Sequence, residues 1–454
     1  MSGLFAAGLI LLALAGLADL AGGRFMRPGP LYLVGAAGSA CLAALGGFAL
    51  AGRDVQLGVA GWLGDPVPGQ QAAALAADKL SGMFLALSFG AAVPVSIAFA
   101  SLARRSRSAL RRGLGGSYAL ALGAVAVIMT AQDAFTALFG WETLTLAFYL
   151  LVGSERNKPG RPAAAQVTFA FGKVSGAALL AGLLLLATRS HSIMLASFTH
   201  VPGGAVRTTA EALLLAGFAV KAGLVPFQVW LPRGYAAAPG PARAIMAGVC
   251  VNVAFYGMWR TLELVGRAPG WLTGVLLVLG ALSALLGIAH AAVQNRLSRV
   301  IAYSSIENTG LIITGFAVAL TGTATGDRRL AAAGLLAATL QVVTHTLAKS
   351  LLFTSWAGIE AATGRDDLEE LRGRVRPTRW SGFGLAVGSV TLAGLPPTAG
   401  FVSEWFLLES LMQQWSFMAI VTAAKRLQSG RMDAYLLYML IALIAVIAVV
   451  TALA

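Results

Sequence analysis

Apolar stretches of about twenty residues follow one another along almost the whole of this chain. That is the length a helix needs to cross roughly 30 Å of hydrocarbon. A β-barrel would instead alternate polar and apolar residues over short strands. The pattern therefore predicts an all-α polytopic membrane protein of about 13 transmembrane helices, which we number as spans one to thirteen: 3–21, 31–51, 81–103, 114–132, 134–153, 163–187, 209–230, 242–264, 271–293, 298–320, 330–358, 382–411 and 433–454.

Composition and charge agree with a membrane protein and indicate its orientation. Of the 454 residues, 57% are hydrophobic and only 11% are charged, and the mean hydropathy is +0.77. Loops after odd-numbered spans hold 19 of the 33 Lys and Arg residues, whereas loops after even-numbered spans hold ten. By the positive-inside rule, the odd loops face the cytoplasm and the N-terminus lies outside the cell inner membrane. The first span lacks a basic start and a cleavage site before Arg24, so we expect a retained helix.

Ionisable residues lie deep within several of these apolar spans. Each costs on the order of 2.5–3.5 kcal/mol at a bilayer centre, so a chain that carries them is expected to use them. Pro226 interrupts span seven, and Pro396 and Pro397 interrupt span twelve, which predicts two broken helices. The ionisable residues that we single out within the spans are Glu142, Lys173, Lys221, Glu307, Lys349 and Glu404, and His345 precedes Lys349 by one helical turn.

The order of these residues suggests an internal repeat. Spans five, six and seven carry an acid, a lysine and a charge beside a proline break, and spans ten, eleven and twelve do the same. Five spans separate the corresponding elements, and because five is odd, the two copies cross the membrane in opposite directions. Inverted repeats with paired broken helices are typical of transporters. We therefore predict an N-terminal region at 1–110, a first five-helix repeat at 111–266 and a second at 267–454.

No residue pattern points to a cofactor, a metal or a nucleic acid. Cys41 and Cys250 are the only cysteines and lie in separate spans, which excludes a Cys-rich iron–sulfur site and a multi-Cys zinc site within the chain. The four histidines show no metal-ligand spacing, and neither a Gly-rich nucleotide loop nor a catalytic triad is present. We expect no cofactor and no catalytic residue, so any redox chemistry would belong to another subunit.

Several separated segments resemble the proton-conducting antiporter-type subunits of respiratory complex I. Relatives of these subunits include multisubunit sodium/proton antiporters and membrane-bound nickel–iron hydrogenases. The segments are 140–146 (GWETLTL), 220–232 (VKAGLVPFQVWLP) and 299–305 (RVIAYSS). Residues 305–308 (SIEN) and 395–405 most resemble the large membrane subunit of hydrogenase-4 and formate hydrogenlyase. The resemblance covers about residues 80–411.

The resemblance implies roles for individual residues. Glu142 matches an acid that controls the proton affinity of its lysine partner, which Lys221 matches. Lys349 and His345 are the relay candidates of the second half. Glu404 resembles the terminal charged residue of the hydrogenase-type subunits.

The sequence also departs from the family pattern. Asn252 stands where the family usually has a lysine, and an asparagine does not carry a proton as an ammonium does. Lys173 is uncommon at its position and could replace the missing charge, whereas Glu307 occupies a position that varies among branches. The acidic and basic residues that are usual before Arg299 are replaced by Arg296 and Ser298, and the Glu and His expected just after residue 232 are replaced by Arg233 and Tyr235.

Simpler structural explanations remain open for five of the candidates. Lys221 could be a purely structural buried lysine, and Glu142 could be an interfacial acid near the start of its span. Lys173 and Glu307 could form helix-packing ion pairs. His345 could be a hydrogen-bonded core histidine.

We expect a proton-translocating membrane subunit of a complex I-like or membrane-bound nickel–iron hydrogenase or formate hydrogenlyase complex. Partner membrane subunits and a peripheral redox module would perform electron transfer. One alternative is a subunit of a multisubunit cation/proton antiporter that moves protons and sodium, and another is a scaffold that has lost conduction. Family members continue past span thirteen, so we expect a shortened branch, a split gene or a truncated sequence.

Overall fold

The computed structural model describes residues 2–21, 28–53, 55–57, 75–105, 113–155, 157–266, 268–371 and 378–415. Two short antiparallel strands pair before the third helix, β1 Val55–Gln56 with β2 Ala76–Ala77. The other regular elements are helices: α1 Ser2–Ala21, α2 Pro28–Leu50, α3 Lys79–Arg105, α4 Leu114–Thr130, α5 Ala134–Val152, α6 Arg161–Ser190, α7 Ala205–Ala222, α8 Trp230–Ala237, α9 Ala242–Ile245, α10 Asn252–Val265, α11 Gly270–Ala292, α12 Leu297–Thr325, α13 Arg328–Thr363, α14 Leu368–Leu371, α15 Arg379–Leu392 and α16 Ala399–Trp415. A π-helical turn, Met246–Cys250, joins α9 to α10, and 3₁₀ turns occupy Gly153–Glu155 and Leu195–His200.

These helices make the chain a multi-pass membrane protein. Eight helical segments of the described residues are long and apolar enough to cross a bilayer. Each of the first twelve predicted spans overlaps a helix or a broken pair of helices. The thirteenth, 433–454, lies outside the described residues, so the total of thirteen stays a prediction.

Both predicted helix breaks are confirmed. Helix α7 ends at Ala222 because Gly223 adopts a left-handed φ of 77°, and the chain becomes helical again at α8. Trp230, the first residue of α8, donates its indole N–H to the carbonyl oxygen of Val220 at 2.9 Å. The Val220 carbonyl also accepts from the backbone N–H of Gly223 at 3.2 Å, so this carbonyl in the last turn of α7 is bonded on both sides of the break.

The second break is built in the same way. Helix α15 ends at Leu392, Gly394 adopts a left-handed φ of 60°, and α16 begins after Pro396 and Pro397. A Cβ at Gly394 would collide with the carboxylate of Glu404, so the break and that carboxylate are in direct contact. A side chain larger than hydrogen is therefore excluded at Gly394 both by the backbone conformation and by the space available.

Two long helices organise the packing around the breaks. Helix α6 packs against α5, α7 and α8, and α13 packs against α3, α12, α15 and α16. Each broken pair therefore lies on a long helix that carries a lysine, Lys173 on α6 and Lys349 on α13. This parallel has the form that the repeat predicts, whereas the domain boundaries after residues 110 and 266 stay predictions.

The structure corrects two details of the sequence analysis. Span eight is not a uniform α-helix, because the π-helical turn interrupts it. Arg243 is one of the 19 basic residues counted in loops after odd-numbered spans, but it lies in α9 and its side chain is only 3% exposed. It donates to both carboxylate oxygens of Glu360, at 2.9 and 3.2 Å. A bidentate ion pair of this kind offsets the cost of burying the guanidinium. Counting charges along a sequence does not detect such a pair.

Candidate functional site

Lys221 lies in a buried aromatic site between α7 and α5. Its ammonium donates a hydrogen bond to the hydroxyl of Thr145 at 3.2 Å and lies 4.8 and 5.4 Å from the ring centres of Phe148 and Trp141. These three residues share one face of α5, because they are spaced four and three residues apart. Aromatic faces attract a cation that burial has removed from water, so the site can hold the charged lysine.

Glu142 forms its direct ion pair with Lys173 and not with Lys221. The Lys173 ammonium contacts a carboxylate oxygen of Glu142 between α5 and α6, and it lies 5.2 Å from the ring centre of Phe169. The Glu142 side chain is 37% exposed and the Lys173 side chain 52% exposed, on the outer face of these helices. Lys173 thus replaces Lys221 as the nearest cation to the acid, and the predicted Glu142–Lys221 partnership has no direct contact.

Asn252 lies where α3, α10 and α13 meet. Its amide nitrogen donates to the hydroxyl of Ser88 at 3.0 Å and to the carbonyl of Gly248 at 3.3 Å, and its amide oxygen accepts from the hydroxyl of Thr346 at 3.1 Å. The side chain is fully buried. Asn252 therefore connects the two halves through hydrogen bonds, at the position where a lysine was expected.

Lys349 and His345 lie side by side in the core, one turn apart on α13. The Lys349 ammonium donates to the carbonyl of Ile301 at 2.8 Å and to the hydroxyl of Ser304 at 2.6 Å, both on α12. The His345 ring is 1% exposed, and neither of its nitrogens has a hydrogen-bond partner among the described residues. The ring stands edge-on to Phe255, with 6.2 Å between centres. A buried polar ring without partners is costly, which separates His345 from an ordinary hydrogen-bonded core histidine.

Two acids complete the second half. Glu307 on α12 lies within electrostatic range of both Lys349 and Glu404, and Glu404 on α16 contacts Gly394 at the helix break. Both acids are partly buried. Lys349, Glu307 and Glu404 therefore converge on the space between α12, α13 and the broken α15–α16 pair.

Several polar partners of these residues were not found from the sequence. Asn308 and Ser403 both contact Gln341 on α13: the Gln341 amide donates to the Asn308 oxygen at 2.7 Å, and the Ser403 hydroxyl donates to the Gln341 oxygen. Thr145 and Ser304, the hydrogen-bond partners of the two lysines, were missed as well. The available signal was a polar residue within an apolar span, but Ser and Thr also bond to their own helix backbone and are common there.

Ionisable groups lie in both halves of the bundle. They are the Glu142–Lys173 pair on α5 and α6, Lys221 on α7, and the group of His345, Lys349, Glu307 and Glu404 around α13. Such groups can bind and release protons in a low-dielectric interior. Among the described residues, no group of three or more His, Cys, Asp or Glu side chains could hold a metal ion.

Comparison with known proteins defines the class. The family described as "NADH:quinone oxidoreductase/Mrp antiporter, TM" matches residues 131–427, and the chain belongs to this family. The matched region contains every candidate residue of the two halves, from Glu142 to Glu404. The resemblance inferred from the sequence motifs is thereby confirmed.

Individual relatives agree with the family assignment. An uncharacterized protein of Mycobacterium tuberculosis (strain ATCC 25618 / H37Rv) is 36% identical over 336 residues, 74% of this chain and 52% of that protein. Hydrogenase-4 component B of Escherichia coli (strain K12) is 29% identical over 296 residues, 64% of this chain and 44% of that protein. The chain thus matches about half the length of these curated relatives. The structure of the Mrp complex from Dietzia sp. DQ12-45-1b contains the same fold, with a TM-score of 0.78 at 20% identity over 98% of this chain and 78% of that one.

Proposed function

We propose that this protein is a proton-translocating subunit of a membrane-bound respiratory complex, of the complex I-like or nickel–iron hydrogenase type. The observation that carries the proposal is the buried Lys221 beside the broken α7–α8 pair, in a chain that belongs to the antiporter family. A lysine held by a hydroxyl and two aromatic faces, without a direct carboxylate contact, has a charge that small movements of its surroundings can change.

The structure suggests a role for each group of residues. Glu142 and Lys173 would form the outer end of the relay on α5 and α6, and Lys221 the buried proton carrier of the first half. Lys349 would be the carrier of the second half, with Glu307 and Glu404 as the acids that exchange protons with it. His345 would serve as a relay beside Lys349, because its two ring nitrogens are uncommitted among the described residues.

The connection between the halves would use His345 and not Asn252. All three hydrogen bonds of Asn252 go to the protein, and an amide does not carry a proton as an ammonium does. Its hydrogen-bond partner Thr346 directly follows His345 on α13. Asn252 would therefore hold α10 against α13 next to the relay. Asn252 is thus a positioning residue in this proposal.

Replacing Lys221 by alanine tests the proposal. We expect loss of proton uptake because the buried carrier of the first half is removed. The measurement uses liposomes that contain the complex purified through this chain, with a pH-sensitive dye inside and an imposed potassium diffusion potential. Lys79→Ala, at an exposed position where α3 begins, is the matched control and should conduct normally. Unchanged proton uptake by a well-assembled Lys221→Ala complex would remove Lys221 from the relay, and no uptake by the unmodified complex would favour a scaffold.

The partner proteins are part of the proposal and need a separate experiment. Relatives include hydrogenase-4 component B, which favours a nickel–iron redox module, and the fold also occurs in the Mrp complex, which favours a cation/proton antiporter that moves sodium. We expect affinity purification in mild detergent, followed by mass spectrometry, to recover other membrane subunits together with a hydrogenase, formate dehydrogenase or quinone-linked module. Recovery of small membrane subunits alone would transfer the proposal to the antiporter.

A further inference from the structure

A cavity of about 840 Å³ lies at the end of the bundle where α6 and α12 begin. Its walls come from the start of α6, the α7–α8 connection, the end of α11 and the start of α12. None of the seven ionisable relay candidates lines it. The cavity is therefore a separate feature whose contents the proposed relay does not explain.

The lining of this cavity has a surplus of positive charge. Glu360 is held by Arg243, and Asp366 accepts hydrogen bonds from the backbone and hydroxyl of Ser298 at 3.0 and 2.6 Å. Glu155 forms ion pairs with Lys158 and Arg161. These three carboxylates face six cationic side chains that line the cavity, which are Lys158, Arg161, Arg233, Arg243, Arg296 and Arg299.

Three of the six cations have no partner for their guanidinium groups in the described parts of the chain. They are Arg233, Arg296 and Arg299, and all three are exposed toward the cavity end of the bundle. The first backbone N–H groups of α12 are already bonded to Asp366, so the three guanidinium groups are the donors that this end of the helix offers to a ligand. Guanidinium groups without partners favour a multivalent oxyanion such as a phosphate group.

The cavity wall includes apolar side chains as well as charged ones, which favours a ligand with a hydrophobic part. Val225, Val229, Leu286 and Ile306 line it beside the arginines. The amide oxygen of Gln228, also in the lining, is buried without a hydrogen-bond partner among the described residues, so it can accept a bond from a hydroxyl group. A free phosphate ion would make no use of the apolar side chains.

We propose that this cavity binds the headgroup of an anionic phospholipid. The phosphate would lie among Arg233, Arg296 and Arg299, a headgroup hydroxyl would donate to Gln228, and acyl carbons would lie along the apolar side chains. The cavity lies at the ends of membrane-crossing helices, which is the depth of the lipid headgroups. A lipid bound here would connect α8, the second part of the first broken pair, to α12, which carries Glu307.

Phosphatidylglycerol binding to the delipidated full chain in detergent tests this proposal. Native mass spectrometry would measure the bound lipid for the wild type, for Arg296→Gln/Arg299→Gln and for the control Arg328→Gln/Arg329→Gln, whose two exposed arginines lie at the opposite end of α12. We expect saturable binding that is at least tenfold weaker in the cavity variant, because each charged hydrogen bond contributes roughly a factor of ten. The control variant should bind as the wild type does.

A photoreactive phosphatidylglycerol on the wild type provides a second measurement that does not depend on how the variants fold. Cross-links within 225–233 and 286–306 would support the site, and cross-links confined to other segments would overturn it. Equal binding of phosphatidylcholine would exclude recognition of the anionic headgroup. Displacement by inorganic phosphate at the same concentration would show a free-phosphate site, and cross-links from an acidic partner protein to these segments in place of lipid would show a subunit contact. Either result would overturn the lipid proposal.

Discussion

At the scale of single residues, the two candidate lysines are buried in different ways. Lys221 contacts two aromatic rings and one hydroxyl, whereas Lys349 is held by a backbone carbonyl and a hydroxyl of α12. Oxygen acceptors solvate an ammonium much as water does, and aromatic faces do so less completely. The two buried lysines, one in each half, therefore lie in unlike environments.

His345 gives the sharpest prediction at this scale. His345→Leu should abolish proton uptake while leaving the melting temperature of the purified protein unchanged or higher, because the substitution removes a buried polar ring without partners among the described residues. Dye-based uptake and thermal unfolding would be measured on the same preparation. Normal proton uptake by this variant, whether or not its melting temperature falls, would assign His345 a packing role.

At the scale of elements, a charged contact fixes the start of α3 against α10. Asp78, just before α3, accepts from Arg260 at 2.6 and 2.9 Å and from the backbone of Ser81 at 2.8 Å. Burial acts to raise the pKa of Asp78, but the hydrogen bonds and charge of Arg260 outweigh burial and hold this pKa below its usual range. The contact thus connects two elements that are distant in sequence through a group that acid can titrate.

Acidification should weaken this connection. Since the pKa of Asp78 is lower in the folded state, its stabilisation is present above the unfolded value of about 4 and is lost as the pH falls through the folded value. Asp78→Asn should lower the melting temperature at pH 7, with a free-energy loss of about 1 kcal/mol because the pair is partly exposed.

The matched control for this experiment is Glu369→Gln, an exposed acid that no ion pair of the described residues uses. Thermal unfolding in detergent between pH 7 and pH 3 should show a smaller difference between Asp78→Asn and the wild type at the acidic end. A constant difference across that range would contradict the assigned role of the Asp78 charge.

At the scale of the whole molecule, the open question is how the bundle is oriented in its membrane. We propose the inner membrane with the N-terminus outside, from the excess of basic residues in loops after odd-numbered spans. The cationic cavity lies at the end that carries Lys158, Arg233 and Arg296, so it would face the cytoplasm.

A reporter inserted between α6 and α7, near Gly203, tests this orientation. Alkaline phosphatase is active only outside the cytoplasm and should be active at this position, whereas the same reporter between α7–α8 and α9, near Pro239, should be inactive. The reverse pattern would invert the proposed topology and place the cavity outside.

The sequence by itself determined the class, the helices and the two breaks. Apolar length sets where a chain can cross a bilayer, and a proline after a left-handed glycine stops a helix locally, so neither depends on distant contacts. It also showed which ionisable residues are costly, because charge in an apolar span is a local property.

Only the tertiary structure decided which residues are partners. Glu142 contacts Lys173 and not Lys221, Arg243 is buried on Glu360, and Gln341 connects α12 to α16. Such contacts depend on how far each helix is rotated and which neighbour it meets. Nearly uniform apolar spans do not encode that rotation, because without a polar face they fit a neighbour on any side; packing of small residues and a few hydrogen bonds selects one arrangement.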